Sequence, residues 1–325
     1  MIVTRTPFRI SFAGGGTDLA AFYRLESGAV VSTAIKKYMY ITVNRRFDDT
    51  IRVSYSRTEI VGNVDEIQHP IVREALRLTE IKGGIEIVSI ADIPAGTGLG
   101  SSSSFTVGLL NALYAYKGSL KSAEELARQA CRIEIDVLGE PIGKQDQYIA
   151  AYGGLCHIQF NQDDSVFVNP IICDTSCKEK LEQSLMLLYT GESRQANTIL
   201  AEQTANMRRE DKFQSLKKMR DLTQETRRCF TDRSAPEELG RLLHKGWLLK
   251  KELAGGISNS AIDAYYEKAL AAGVYGGKIS GAGGGGFLLL VAPPEKRQAV
   301  RQALSNLQEM DFAFEAEGSK IIYVI

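Results

Sequence analysis

The 325-residue chain is 44% apolar and 24% charged, the composition of a soluble globular protein long enough for one large or two ordinary domains. Its 39 Lys plus Arg balance 39 Asp plus Glu, so net charge gives no ground for a nucleic-acid or anionic-membrane partner. The longest apolar run, 287–292, is too short to span a bilayer, and Arg5, Pro7 and Arg9 interrupt any signal-peptide pattern at the start. Five cysteines, an odd number in so long a chain, argue against a disulfide framework and for a reducing cytoplasm. Three scattered histidines make a zinc site a poor fit.

Alternating segments at Val3 to Ala13, Ala29 to Asn44 and Ile51 to Tyr55 predict strands. The first runs into Gly14-Gly15-Gly16-Thr17-Asp18, where bare backbone can lie against a ligand while a hydroxyl and a carboxylate face its hydroxyl groups. On these residues alone Asp18 also reads as a helix or turn cap, and Arg9 as a surface charge. A further strand, Ile85 to Ile90, leads into PAGTGLGSSSS (94–104) and then a helical pattern over 105–116. Gly96, Gly98 and Gly100 allow positive φ and close approach of an anion, and the start of the following helix supplies unpaired N–H groups. The serine hydroxyls offer further donors and a candidate metal ligand. We therefore read the stretch as a triphosphate cradle, with tight packing as the competing explanation. It matches neither the dinucleotide fingerprint nor the P-loop, because the third glycine comes one residue early and no Gly-Lys is followed by Ser or Thr.

Periodicity predicts a second helix over 123–138, in which Leu126, Ala127, Ala130, Cys131, Ile133 and Val137 share a face with Glu134 near its middle. A carboxylate on an apolar face needs a cation, so Glu134 is a candidate metal ligand or half of a buried ion pair, whereas Asp136 falls on the outer face. The loop GEPIGKQDQY (139–148) follows, then strands over 153–160 and 166–172. A polar boundary at 169–180 divides residues 1–172 from residues 173–325. Beyond a strand at 185–189 the chain turns helix-rich, over 195–230, 236–253 and 259–272. KISGAGGGGF (278–287) then opens a strongly apolar strand, FLLLVA, with Gly281 and Gly283 to Gly286 clearing side chains from a crowded place.

Four stretches, TPFRISFAGGGTDL (6–19), PAGTGLGSSSS, GEPIGKQDQY and KISGAGGGGF, resemble in order and spacing the GHMP family of sugar and isoprenoid kinases. Within it, AGGGTD, GKQDQYIAAYGG and SRQANTIL are most similar to heptose phosphate kinases. The resemblance implies a two-domain α+β architecture, with a mixed α/β N-terminal domain and a helix-rich, ferredoxin-like C-terminal domain. It implies ATP and Mg²⁺, a sugar phosphate acceptor, and a cytoplasmic enzyme with neither nucleic-acid nor membrane partners. By resemblance Asp146 accepts the acceptor hydroxyl's proton and Arg9 stands beside it, where a cation stabilises charge on the phosphoryl group. Pro94, Gly96, Gly98, Leu99, Gly100, Ser101, Ser102 and Ser103 would hold ATP, and Ser102 with Glu134 the magnesium. Gly15, Gly16, Thr17, Asp18, Asp146, Gly281, Ala282 and Gly283 would meet the acceptor. A phosphate already on the acceptor needs cations of its own, for which Arg194 and the Lys250-Lys251 pair are candidates, the lysines reading equally as surface residues. The expected product is the 1,7-bisphosphate of D-glycero-D-manno-heptose 7-phosphate, with fucose or galactose, or a catalytically silent regulator, as alternatives.

Overall fold

The computed structural model describes residues 1–191, 196–231 and 236–325. In the first part, β1 (Ile2–Ala13), α1 (Ala20–Tyr23), β2 (Gly28–Arg45), β3 (Ile51–Ser54), β4 (Thr58–Val61), α2 (Pro70–Leu78) and β5 (Ile85–Ala91) lead to α3 (Ser101–Tyr116). Then come α4 (Ala123–Cys131), α5 (Gln145–Tyr152), β6 (Leu155–Phe160) and β7 (Val166–Pro170). The second part runs α6 (Thr175–Ser184), β8 (Leu185–Tyr189), α7 (Ala196–Asn206), α8 (Glu210–Thr231), α9 (Glu237–Lys251) and α10 (Ser260–Ala271). It ends with β9 (Gly276–Ile279), β10 (Phe287–Val291), α11 (Arg297–Ala303), β11 (Gln308–Glu309) and β12 (Lys320–Val324).

The strands form an eight-stranded sheet, β12-β1-β2-β5-β3-β4 with β6 and β7 branching from β2, and a four-stranded sheet ordered β11-β8-β10-β9. The branch follows from the length of β2, whose residues 28–33 pair with β6 while 39–45 pair with β5. The β1–β2 register slips at Pro7/Phe8, where proline brings no N–H to the ladder. The expected division at 172/173 falls just before α6, yet β12 returns to the first sheet and pairs with β1. Nothing in the sequence KIIYV says which sheet will take it.

Two expected helices are interrupted. The pattern over 195–230 divides into α7 and α8, and Asn206 at the break donates its side-chain amide to Leu253 O (2.9 Å). The pattern over 123–138 is α-helical only to Cys131, and Arg132–Val137 continue as a wider π-helical turn. Such a turn inserts a residue and re-aims its side chains, a device common at functional sites.

Helix α3 packs on β1 and β2 so closely that a Cβ on Gly108 would stand 2.6 Å from Thr6 Oγ1. One apolar core runs from α2 to α5 and the large sheet through α6, α8 and α9 to one face of the small sheet, and a second lies between the other face of the small sheet and α7 to α11. A cleft opens where the two parts meet. Among the described residues no helix is long and apolar enough to cross a membrane.

Candidate active site

A cavity of 610 Å³ lies in that cleft, and residues from all four glycine-rich or acidic stretches line it. The phosphate-loop stretch carries three left-handed glycines, Gly96, Gly98 and Gly100, with φ of 77°, 81° and 79°. Gly100 caps α3, so the helix begins inside the serine run and Ser101, Ser102 and Ser103 occupy its first turn, where backbone N–H groups have no intrahelical partner. Pro94 is exposed at the mouth, where its carbonyl accepts from Thr97 Oγ1 (3.1 Å). Leu99 is fully buried in the core, and its carbonyl accepts from Arg9 N (3.1 Å). Neither of these two lines the cavity, so their part is to shape the loop.

KISGAGGGGF packs backbone to backbone on this loop. A Cβ on Gly98 would stand 2.5 Å from Ser280 O, one on Gly281 2.6 Å from Gly98 Cα, and one on Gly286 2.4 Å from Thr97 O. These glycines are therefore demanded by contact between the two parts of the chain, as expected from their number. Gly281, Ala282 and Gly283 all line the cavity.

At the floor, Arg9 and Asp146 form a bidentate pair: Nε donates to Oδ1 and Nη2 to Oδ2, each at 2.8 Å, while Nη1 donates to Gly98 O at 2.5 Å. The guanidinium is buried, so the fork fixes Asp146 at the first turn of α5 directly beside the phosphate loop. Gly100 leaves the room, since a Cβ there would press on both Arg9 Cγ and Asp146 Oδ2 at 3.3 Å. Gln145, assigned nothing by the sequence, adds a third tie: its Nε2 donates to Asp146 Oδ1 (3.2 Å) and its Oε1 accepts from Ser11 Oγ (2.6 Å).

Asp18 is buried beside this pair, with Oδ1 accepting from Gly16 N (2.9 Å) and Oδ2 from Gln145 N (3.2 Å). Burial, and then the charge of Asp146, raises its carboxyl above the ordinary value. A Cβ on Gly143 would overlap Asp18 Oδ2 at 2.0 Å, which explains the glycine of the GKQDQ stretch. Gly15 and Gly16 line the cavity with Asp18, but Thr17 does not. Thr17 Oγ1 donates toward Gly14 O and Ala29 O and accepts from Ala29 N, at 2.8 to 3.1 Å, in a fully buried position. The expectation that Thr17 meets the acceptor is thereby corrected: its hydroxyl is occupied in closing the turn.

The wide turn after α4 turns Glu134 toward the serine helix. Its Oε1 accepts from Ser102 Oγ (2.6 Å) and its Oε2 from Gln147 Nε2 (2.8 Å). At 1% exposure, burial pushes this carboxyl up to about 7, against the pull of its hydrogen bonds. A buried carboxylate beside an exposed serine hydroxyl, both at the phosphate loop, is an all-oxygen donor set that suits Mg²⁺, which takes few protein ligands and otherwise phosphate and water. Asp136 is exposed as expected, but so is Val137, which the α-helical wheel placed on the apolar face: the wider turn carries it off that face.

Two lysines complete the cleft. Lys250 is 5% exposed, donates to Gly281 O, and burial followed by Arg9 lowers its ammonium to about 8. It is therefore no surface residue, unlike Lys251, which pairs with Asp263 (3.1 Å) outside the cavity. Lys278 Nζ donates to Ser11 O (2.9 Å), and burial lowers it well below its ordinary range. Lys278 lies within β9, beside Ile279, and was not among the residues expected at the site. Arg194 lies outside the described residues. From α7, Asn197, Leu200 and Gln203 also line the cavity, with Asn197 Nδ2 donating to Glu140 across the cleft.

Comparison with known proteins bears on this arrangement. The model of the GHMP kinases N terminal domain matches residues 69–154, and that of the GHMP kinases C terminal domain matches 227–309. The chain is 30% identical to D-glycero-alpha-D-manno-heptose 7-phosphate kinase of Campylobacter jejuni, over 98% of either chain. It is 27% identical to the bifunctional fucokinase/GDP-fucose pyrophosphorylase of Arabidopsis thaliana over 94% of its own length but 31% of that protein. The crystal structure of a D-glycero-D-manno-heptose 1-phosphate kinase from Bacteroides thetaiotaomicron superposes with a TM-score of 0.83 over the full length of both chains, at 26% identity.

Proposed function

The chain belongs to the GHMP kinases and is an ATP-dependent sugar phosphotransferase, and from that premise we propose that it phosphorylates D-glycero-D-manno-heptose 7-phosphate on the anomeric oxygen. The observation that carries the placement of the chemistry is the Arg9–Asp146 fork, which holds a carboxylate between the phosphate loop and the Asp18 pocket. In this reading the acceptor hydroxyl hydrogen-bonds to Asp146 and attacks the γ-phosphorus. The new O–P bond forms as the bond to the β-phosphate oxygen breaks, and Asp146 receives the hydroxyl proton or passes it to the transferred group. Because phosphoryl transfer has a loose transition state, the chain contributes mainly position and charge. Arg9 orients Asp146, Lys250 and Lys278 offset negative charge within the cleft, and the start of α3 cradles the phosphates. Ser102 and Glu134 would hold Mg²⁺, which supplies charge neutralisation on the phosphoryl oxygens when bound.

The heptose acceptor is supported by the 30% identity to the Campylobacter jejuni enzyme over nearly the whole length of both. A fucose acceptor is the second reading, supported by the more distant likeness to the plant fucokinase. The test is ATP consumption over a panel of free sugars and sugar phosphates, with phosphorus NMR of the product and Asp146→Asn in parallel. Turnover confined to the heptose 7-phosphate, with an anomeric phosphate signal that the variant does not produce, is the expected result. Turnover of fucose alone, or a product phosphorylated away from the anomeric carbon, overturns the acceptor assignment and leaves the kinase intact.

A further inference from the structure

Among the described residues that line the cleft, two buried side-chain polar atoms have no partner: Ser280 Oγ, on the stretch packed against the phosphate loop, and Gln203 Nε2, which lies away from that loop beside Gly16. The Gln203 side chain is 1% exposed and lines the cavity from α7. A buried amide N–H without a partner is destabilising, so its persistence in a packed position calls for a partner that arrives with the ligand.

Position narrows what that partner is. Gln203 Nε2 stands 2.3 Å from where a Cβ on Gly16 would lie, and Gly16 N donates to Asp18 Oδ1 at 2.9 Å. The unpaired donor and the Asp18 carboxylate thus both lie against one glycine, whose missing Cβ at φ +101° leaves the place that Gln203 Nε2 takes. An acceptor group that reaches both from the cavity meets an N–H with no partner and a carboxylate that can accept a further hydrogen bond. A hydroxyl does both at once; a carbonyl or phosphate oxygen cannot donate to Asp18, and an ammonium cannot accept from Gln203.

We infer that Gln203 is a specificity-determining residue of the acceptor side, donating to the same acceptor hydroxyl that donates to Asp18. The inference rests on the reading of the cleft as a sugar-kinase site. It also gives a reason for discrimination, because an analogue that lacks the hydroxyl leaves the buried Gln203 N–H unpaired and gives Asp18 no donor beyond Gly16 N and Gln145 N.

The test uses the full-length enzyme, Gln203→Leu and Gln203→Asn, and heptose 7-phosphate with analogues deoxygenated or epimerised at one hydroxyl at a time. For Gln203→Leu the acceptor KM is expected to rise about 10- to 100-fold, with the KM for ATP and kcat within about twofold. The wild type discriminates against every altered analogue, whereas Gln203→Leu loses its discrimination at one position only, and Gln203→Asn restores part of it. Equal loss on all analogues, or a matching rise in the KM for ATP, would mean that Gln203 only packs α7 and would overturn the inference. Unchanged kinetics in Gln203→Leu would overturn it alone, while absence of sugar turnover by the wild type would overturn the kinase reading and this inference together.

Discussion

Replacing Lys250 by methionine separates what the cleft does from what it costs. The ammonium is buried and lowered from its ordinary 10.5 to about 8, chiefly by desolvation and then by Arg9. At about 1.4 kcal/mol per tenfold change in a protonation equilibrium, that displacement corresponds to about 3 kcal/mol. Its sign follows from linkage. Below about pH 8 Lys250 is charged in both folded and unfolded chains, and the folded chain bears the full penalty. Between about 8 and 10.5 the unfolded chain binds the extra proton, so the stability of the wild type rises with pH relative to a chain without this group. Methionine fills a similar volume and removes the charge, at the expense of the hydrogen bond to Gly281 O. Urea unfolding at a series of pH values is the assay. The stability difference, Lys250→Met minus wild type, is expected to fall by about 3 kcal/mol between pH 7 and 10.5. Catalysis moves the other way: kcat/KM at pH 7 is expected to drop about 10²- to 10³-fold, as for loss of a preorganised charge. A stability difference flat with pH would refute the claim that the protein carries a desolvated lysine. Unaltered turnover would refute its electrostatic role.

Glu134→Gln keeps the shape but removes the anion and turns one of the two oxygens that accept from Ser102 and Gln147 into a donor, so magnesium titrations of activity should show an apparent requirement raised by at least about 10-fold and kcat lowered by about 10²-fold. Thr17→Val removes a hydroxyl that joins Gly14 and Ala29, and is expected to cost about 1–3 kcal/mol in urea unfolding with acceptor KM unchanged; a selective rise in that KM would reinstate Thr17 as a binding residue. In Gly281→Ala the new Cβ meets Gly98 Cα at 2.6 Å in a left-handed conformation, so the rise in Tm on adding ATP should shrink because the phosphate loop is displaced.

The parts of the site legible in the sequence are those whose chemistry is local. Glycines with positive φ, a serine run at a helix start and an acidic residue in an apolar stripe all announce themselves by residue type and spacing, and the structure gives Gly98 its positive φ, puts the serines in the first turn of α3 and buries Glu134, whereas the choice of Ser102 within the run came from the family resemblance. What failed to show depends on which surfaces later meet. Lys250 and Lys251 are adjacent and chemically alike in sequence, but α9 turns one into the cleft and the other toward Asp263. The wide turn at Arg132–Val137 breaks a helical period that the sequence continues without a proline or glycine. Thr17 was misread for the same reason: its hydroxyl sits in a turn rich in candidate ligand groups, and only the positions of Gly14 O and Ala29 N reveal that it is already used.

The buried ionisable groups suit a site that is completed by its ligands. Burial acts against the charge of each: it raises Asp18 and Glu134, and it lowers Lys250 and Lys278. Charged ligands can relieve them together. Phosphate oxygens near the lysines favour the ammonium form, a divalent cation at Glu134 favours the carboxylate, and a hydroxyl given to Asp18 restores part of the hydration it has lost. The energy withheld from folding is returned on binding, so the groups that cost stability are also the groups that make binding tight.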